Sequence, residues 1–174
     1  MERTGPIAGS FVAAIIPGFL AVLGVFLANL PLSLFSGIMP SPLLALMPVY
    51  FWCLVRPDLM PPFLAFLIGV LEDLFCGGPP GIWGAAFITT YALVDRQRDS
   101  FAGLSGVGAI LGFAVAMFVC GGTAYILMAI YYWHMPPFAL LLVQIAITVL
   151  FYVPGAALLN WMHRRLVGPL RSDF

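Results

Sequence analysis

Lysine is absent from this chain, and its charges are seven Arg against seven Asp or Glu, together 8% of 174 residues. An average soluble domain carries about 25% charged residues. So few charges cannot cover a water-soluble globule of this size, and the lack of a basic face excludes binding to nucleic-acid phosphates. Cysteine is scarce as well: Cys53, Cys76 and Cys120 are odd in number and scattered, so a disulfide framework is not implied. What fills the space is apolar. Hydrophobic residues make up 63% and the mean hydropathy is +1.08. That composition defines a polytopic membrane protein in a lipid bilayer.

The few charges punctuate the apolar stretches. Ile7–Leu30 is free of charge over 24 residues, about 36 Å as helix at 1.5 Å per residue. Further stretches are Leu43–Val55, Leu59–Phe75, Gly81–Val94, Phe101–Trp133 and Pro136–Met162. With their flanking prolines they predict six transmembrane spans at about 7–30, 42–55, 59–75, 80–94, 101–133 and 136–162. The first exceeds a signal-peptide core and is expected to be retained. The second and fourth reach only about 20 Å against a hydrocarbon core of roughly 30 Å, so they recruit flanking residues, thin the bilayer or are partly re-entrant. A four-span arrangement with such a pair re-entrant competes with six.

Charge sidedness favours six. Under that numbering Arg3, Arg56, Arg96, Arg98, Arg164, Arg165 and Arg171 all fall on one side, and the first, third and fifth connections hold none. Arg near span ends is retained in the cytoplasm, so both termini are expected there. Residues 1–174 thus read as one integral membrane domain, an all-α six-helix bundle. Pro40, Pro42, Pro61, Pro62, Pro79, Pro80, Pro136 and Pro137 stand at or just before span starts, where the missing N–H has no partner to lose. Pro17, Pro48 and Pro154 lie inside spans and are expected to kink them.

Glu72 and Asp73 are the two acids left on the outer side, at the end of the third span. Adjacent helical residues diverge by about 100°, so at most one is expected to point inward. Asp73 is the expected anchor, accepting hydrogen bonds from the glycine turn Gly77–Gly81 or from a partner helix; two solvated interfacial carboxylates are the bland alternative. Consecutive carboxylates cannot flank a substrate, which disfavours acid/base hydrolysis. A metal site from Glu72, Asp73 and His134 is conceivable, but His134 follows the interfacial aromatics Tyr131, Tyr132 and Trp133, and no metal or other cofactor is expected. Neither a nucleophile motif nor a phosphate-binding loop occurs, so no enzymatic activity is expected. Gly108, Gly112 and Ala116 form a small-residue ladder in the fifth span, as Gly24 and Ala28 do in the first, and both suit close helix packing. Gly121-Gly122 suggests a bend. Gln144, Thr89, Thr90 and Thr148 are too sparse for an ion path. Arg56 and Asp58 straddle Pro57 in a cytoplasmic turn, either solvated or a docking point.

One family carries several of these features. The run Pro48-Val49-Tyr50-Phe51-Trp52, then Arg56-Pro57, then Ala65–Asp73 and Gly77-Gly78-Pro79-Pro80-Gly81 resembles the bacterial rod-shape-determining membrane protein MreD family. Gly69, Asp73, Gly77 and Gly81 fit its apolar Gly-x-x-x-Asp segment, its short Gly/Pro turn and the Gly that opens the next helix. Residues 40–95 carry the likeness; elsewhere it is one of topology and hydropathy. Glu72 stands where an apolar residue is more usual, which leaves open which carboxylate organises the turn. The resemblance implies a non-enzymatic scaffold of the cell-elongation machinery in the inner membrane. Such a scaffold binds the single-span protein MreC and helps couple MreB filaments to a RodA-type glycan polymerase and its penicillin-binding transpeptidase. The family is also similar in fold to the substrate-binding S-components of energy-coupling-factor vitamin transporters. A small-molecule binding subunit open to the outer face is therefore the competing expectation.

Overall fold

The computed structural model describes residues 7–30, 40–98, 100 and 107–167. Among them are six α-helices and no strand: α1 (Ile7–Ala28), α2 (Leu46–Val55), α3 (Pro62–Cys76), α4 (Ile82–Arg96), α5 (Val107–Tyr132) and α6 (Phe138–Met162). A 3-10 turn, Pro57–Leu59, links α2 to α3, and a π turn, His163–Val167, follows α6. Proline marks the starts. Pro61 and Pro137 cap α3 and α6, and Pro57 opens the 3-10 turn, in the positions where its missing donor costs nothing. Pro17 and Pro154 lie within helices. Pro48 does not. It is the third residue of α2, inside the first turn, because residues 40–43 preceding the helix are not helical. The kink expected there has no interior backbone bond to break. α5 continues through Gly121-Gly122 as unbroken helix.

Contacts at the helix ends fix the directions. Asn29, just past α1, meets Glu72 near the end of α3. At the other end, Trp52 of α2 lies edge-on to His163 beyond α6, with ring centroids 5.5 Å apart, and Cys53 contacts Tyr91 of α4. The helices therefore alternate in direction. The described charges sort with them: Arg56, Asp58, Asp95, Arg96, Arg98, Arg164 and Arg165 gather at one end, Glu72 and Asp73 at the other. Glu2, Arg3, Asp99, Arg171 and Asp173 lie outside the described residues, as do residues 101–106 of the expected fifth span.

The core runs through α2, α4 and α5 with the other helices packed against them, and its aromatic centre lies where α2, α5 and α6 meet. Phe113 stacks on Tyr152 at 4.0 Å, and Tyr50 meets both rings edge-on at 5.3 and 5.9 Å. Each such pair adds about 0.5–1.5 kcal/mol beyond area burial. α5 turns Gly112, Phe113, Ala116, Met117 and Cys120 inward, with Gly108 half-buried on the approach. α3 and α4 make the closest pair. A Cβ on Gly69 would stand 2.5 Å from the Trp83 carbonyl oxygen and 2.7 Å from Gly84 Cα, so backbone meets backbone there.

The outward surface is apolar. The segments Val107–Tyr132 and Phe138–Arg165 are long and apolar enough to cross a membrane. Burial in them is low: 33% and 17% of the most apolar window, the reverse of a soluble core helix. On α6 the inward residues reduce to Leu141, Thr148, Tyr152 and Leu159, a single stripe at helical spacing. Leu150, Phe151, Val153 and Leu158 on its other faces are exposed.

Candidate functional site

The site begins with how α3 stops. Gly77 closes it with φ 65°, and Gly81 opens α4 with φ 102°, both left-handed conformations that cost a side-chain-bearing residue about 1–2 kcal/mol. Among the described residues nothing approaches within 4 Å of a Cβ at either position, so backbone conformation rather than crowding demands glycine there. The turn folds α4 back onto α3, and the first N–H groups of α4 arrive beside Asp73.

Asp73 receives three of them. Its Oδ2 accepts from Gly81 N at 2.8 Å and Gly84 N at 3.3 Å, and its Oδ1 accepts from Trp83 N at 3.0 Å. The first turn of a helix leaves its N–H groups without intrahelical partners and carries the positive end of the helix dipole. Most helices satisfy these donors with a Ser, Thr, Asp or Asn at the cap. Here the cap residue is Gly81, with no side-chain oxygen, and a carboxylate from the preceding helix does the work. Asp73 is 1% exposed, yet its charge is met by three donors and the dipole.

Glu72 is also 1% exposed, against the expectation that only one of the pair turns inward. The reason is that α3 is covered on two sides. Asp73 faces α4, while Glu72, about 100° around the helix, faces the end of α1. Its Oε1 accepts from Asn29 Nδ2 at 3.1 Å, and Asn29 Nδ2 also donates to Val25 O at 2.9 Å. Cys76, one turn on, places Sγ 3.8 Å from Glu72 Oε1 and 3.7 Å from Asn29 Oδ1. Glu72 Oε2 has no hydrogen-bond partner among the described residues. His134 is elsewhere, exposed and edge-on to Tyr132 at 6.2 Å. Among the described residues no three His, Cys, Asp or Glu side chains converge as a metal cluster.

A second polar contact escaped the sequence. Thr148 Oγ1 accepts from Leu43 N at 3.0 Å, and Gln144 Nε2 donates to Ser41 O at 3.1 Å. These residues sit one turn apart in the middle of α6 and hold the non-helical strip before α2 against it. Irregular backbone deep in an apolar bundle survives only with such partners. That accounts for the shortness of α2: 10 residues, about 15 Å of helix, follow an extended lead-in. The available signal was two polar residues at i and i+4 on an otherwise apolar span.

At the charged end, Arg56 grips Asp58 across Pro57, with Nε to Oδ1 at 2.9 Å and Nη2 to Oδ2 at 2.8 Å. This fork holds the Asp58 carboxyl below its usual range. Burial, then Arg56 and Arg164, push His163 below the ordinary histidine value. Between α4, α5 and α6, beside Trp83, lies a cavity of about 190 Å³ lined by apolar groups plus Tyr125 and Gln144. Pro48, Arg56 and Pro57 thus lie at or beyond α2, Gly69 to Gly81 form one hairpin at the acidic end, and Gly108, Gly112 and Ala116 run along α5.

Fold and site together define an all-helical bundle with two helices able to cross a membrane and an internally capped helical hairpin. No protein-family model, no curated protein and no solved structure matches the chain.

Proposed function

We propose that this chain is a non-enzymatic membrane scaffold of the bacterial cell-elongation machinery, in the manner of the MreD family it resembles. It spans the inner membrane six times with both termini cytoplasmic. Through its apolar flanks it binds an MreC-like single-span protein, and it helps couple MreB filaments to a RodA-type glycan polymerase and a penicillin-binding transpeptidase. The observation that carries this reading is the outward apolar surface of α5 and α6, paired with an Asp73 carboxylate wholly committed to the chain's own backbone. A scaffold needs stiff helices with faces open to lipid and to partner helices, and the Asp73 cap stiffens one hairpin of the bundle.

The competing reading, a vitamin-binding subunit, would use a cavity at the acidic end. A cavity beside Trp83, at about 190 Å³, is smaller than the roughly 300–1,000 Å³ of ligand sites, and a cleft of about 600 Å³ against Tyr125, Ile130, Trp133 and His134 is of that size but almost wholly apolar. The polar lining of the smaller cavity is Tyr125, whose hydroxyl already donates to Pro136 O, and Gln144, whose amide already holds Ser41. Depletion of the protein in its own rod-shaped host tests the proposal: the scaffold reading expects rounded cells. Unchanged rods that have become dependent on a supplied vitamin would overturn it in favour of the transporter subunit.

A further inference from the structure

Helix packing leaves a groove on the apolar surface of the bundle. α1 packs on α2 and α3, and α6 packs on α5 and α2. α1 meets the π turn that follows α6 yet leaves α6 itself nearly untouched, so the short α2 forms a floor between two walls. The groove encloses about 310 Å³ and runs past Leu20 and Leu27 of α1, Met47 and Pro48 of α2, and Phe151 and Leu158 of α6. Met47 Sδ would stand 3.1 Å from a Cβ on Gly155, so α2 closes the back of the groove against α6. Its mouth is open, since Leu27, Phe151 and Leu158 are all exposed.

The wall on α6 leads into a basic end. Phe151, Leu158, Trp161 and Arg165 follow one another at helical spacing. Arg165 stands about 10 Å beyond Leu158 along the axis, a separation on the scale of the headgroup layer outside a hydrocarbon core. Its guanidinium lies over the exposed Trp161 ring, 5.2 Å from the centroid. Both described acids at this end are taken, Asp58 by Arg56 and Asp95 by Arg98. Arg164 and Arg165 are exposed and pair with no acid among the described residues.

We propose that the groove between α1 and α6 holds an acyl chain of one anionic phospholipid, whose phosphate meets Arg164 and Arg165 at the charged end of the bundle. Charge complementarity selects this occupant. An apolar partner helix would fill the groove but bring no negative charge to the two guanidinium groups. A zwitterionic lipid carries its own cation, which competes with them. Tryptophan favours headgroup level, and the cation–π contact holds Arg165 there beside it. Basic pockets between membrane helices bind anionic headgroups by the same attraction. This inference rests on the chain lying in a bilayer, and not on the scaffold role.

Native mass spectrometry of the full chain in mild detergent reads the occupant. Dioleoyl phosphatidylglycerol and dioleoyl phosphatidylcholine, added at equal concentration, share their chains and differ in headgroup charge. The wild type is expected to retain one phosphatidylglycerol, preferred about tenfold or more over phosphatidylcholine. Arg164→Gln combined with Arg165→Gln, both at exposed positions, should remove that preference while circular dichroism stays unchanged. Leu158→Trp, also at an exposed position, narrows the groove and should lower retention of both lipids severalfold. Equal retention of the two lipids by the wild type would overturn the site, leaving an unselective lipid coat. So would an undiminished preference in the double Arg variant, or displacement of the bound lipid by inorganic phosphate alone. A co-purifying polypeptide or second copy of the chain, released by Leu158→Trp, would give the groove to a helix and likewise reject the lipid. Retention of neither lipid would overturn the membrane reading together with the site, whereas retention of both without preference rejects the site alone.

Discussion

Replacing Asp73 with alanine is the most informative perturbation of the α3–α4 hairpin. Three backbone donors lose their acceptor, and they differ in exposure. The bonds to Trp83 N and Gly84 N are buried, whereas that to Gly81 N is part-buried and open to rescue by water. A buried donor left unsatisfied costs about 1–3 kcal/mol, so the two buried losses sum to about 2–6 kcal/mol. Removing a buried carboxylate returns part of this, since its desolvation cost disappears. The net expectation is a loss of about 2–4 kcal/mol. That is well above the roughly 0.6 kcal/mol average for side-chain hydrogen bonds between membrane helices. The difference arises because these donors belong to a helix terminus with no alternative partner. Asp73→Asn should fall between the two, because the amide keeps one acceptor oxygen but presents an N–H to the other donors. Reversible unfolding of the detergent-solubilised protein reads the effect directly. A midpoint for Asp73→Ala equal to wild type would refute the capping argument.

Other expectations are separable from this one. Gly69→Ala drives a Cβ to 2.5 Å from the Trp83 carbonyl oxygen, and overpacking of this kind costs about 1–3 kcal/mol in the same unfolding assay. Gly77→Ala should cost about 1–2 kcal/mol through its positive φ alone, and a D-alanine at that position, introduced by semisynthesis, should restore stability. Thr148→Val orphans the Leu43 amide and should cost about 1–3 kcal/mol, with faster hydrogen exchange confined to the strip before α2. His163 is shifted down by burial, Arg56 and Arg164, so below its ordinary value of about 6.5 the unfolded chain binds the proton more readily. Stability should therefore be full above that pH and fall as pH drops through it; His163→Gln should flatten that part of the profile.

How much of this was legible in the sequence differs from residue to residue. Helix number and approximate limits followed from charge punctuation and from prolines, because both act locally. The expected start at residue 42 was too early, since Leu46 opens α2. What shortens that helix is a contact from Thr148, more than a hundred residues away in sequence, and periodicity carries no trace of such a pairing. Pro48 was misplaced for the same reason. Asp73 could be singled out as an acceptor from its distance to the glycine turn. Its actual partners extend past the turn into α4, because Gly81 cannot cap its own helix. Glu72 was assigned too little burial, since a single helix cannot show that both of its neighbouring faces are covered. The Asn29–Glu72–Cys76 convergence needed α1 and α3 to finish side by side.

Co-purification from native membranes in mild detergent tests the central claim most directly, comparing wild type with Asp73→Ala at equal amounts of folded protein. The account predicts that an MreC-like single-span protein accompanies the wild type and is lost or much reduced with Asp73→Ala, because the hairpin that stiffens the bundle is loosened. Recovery of the wild type with no such partner would contradict it.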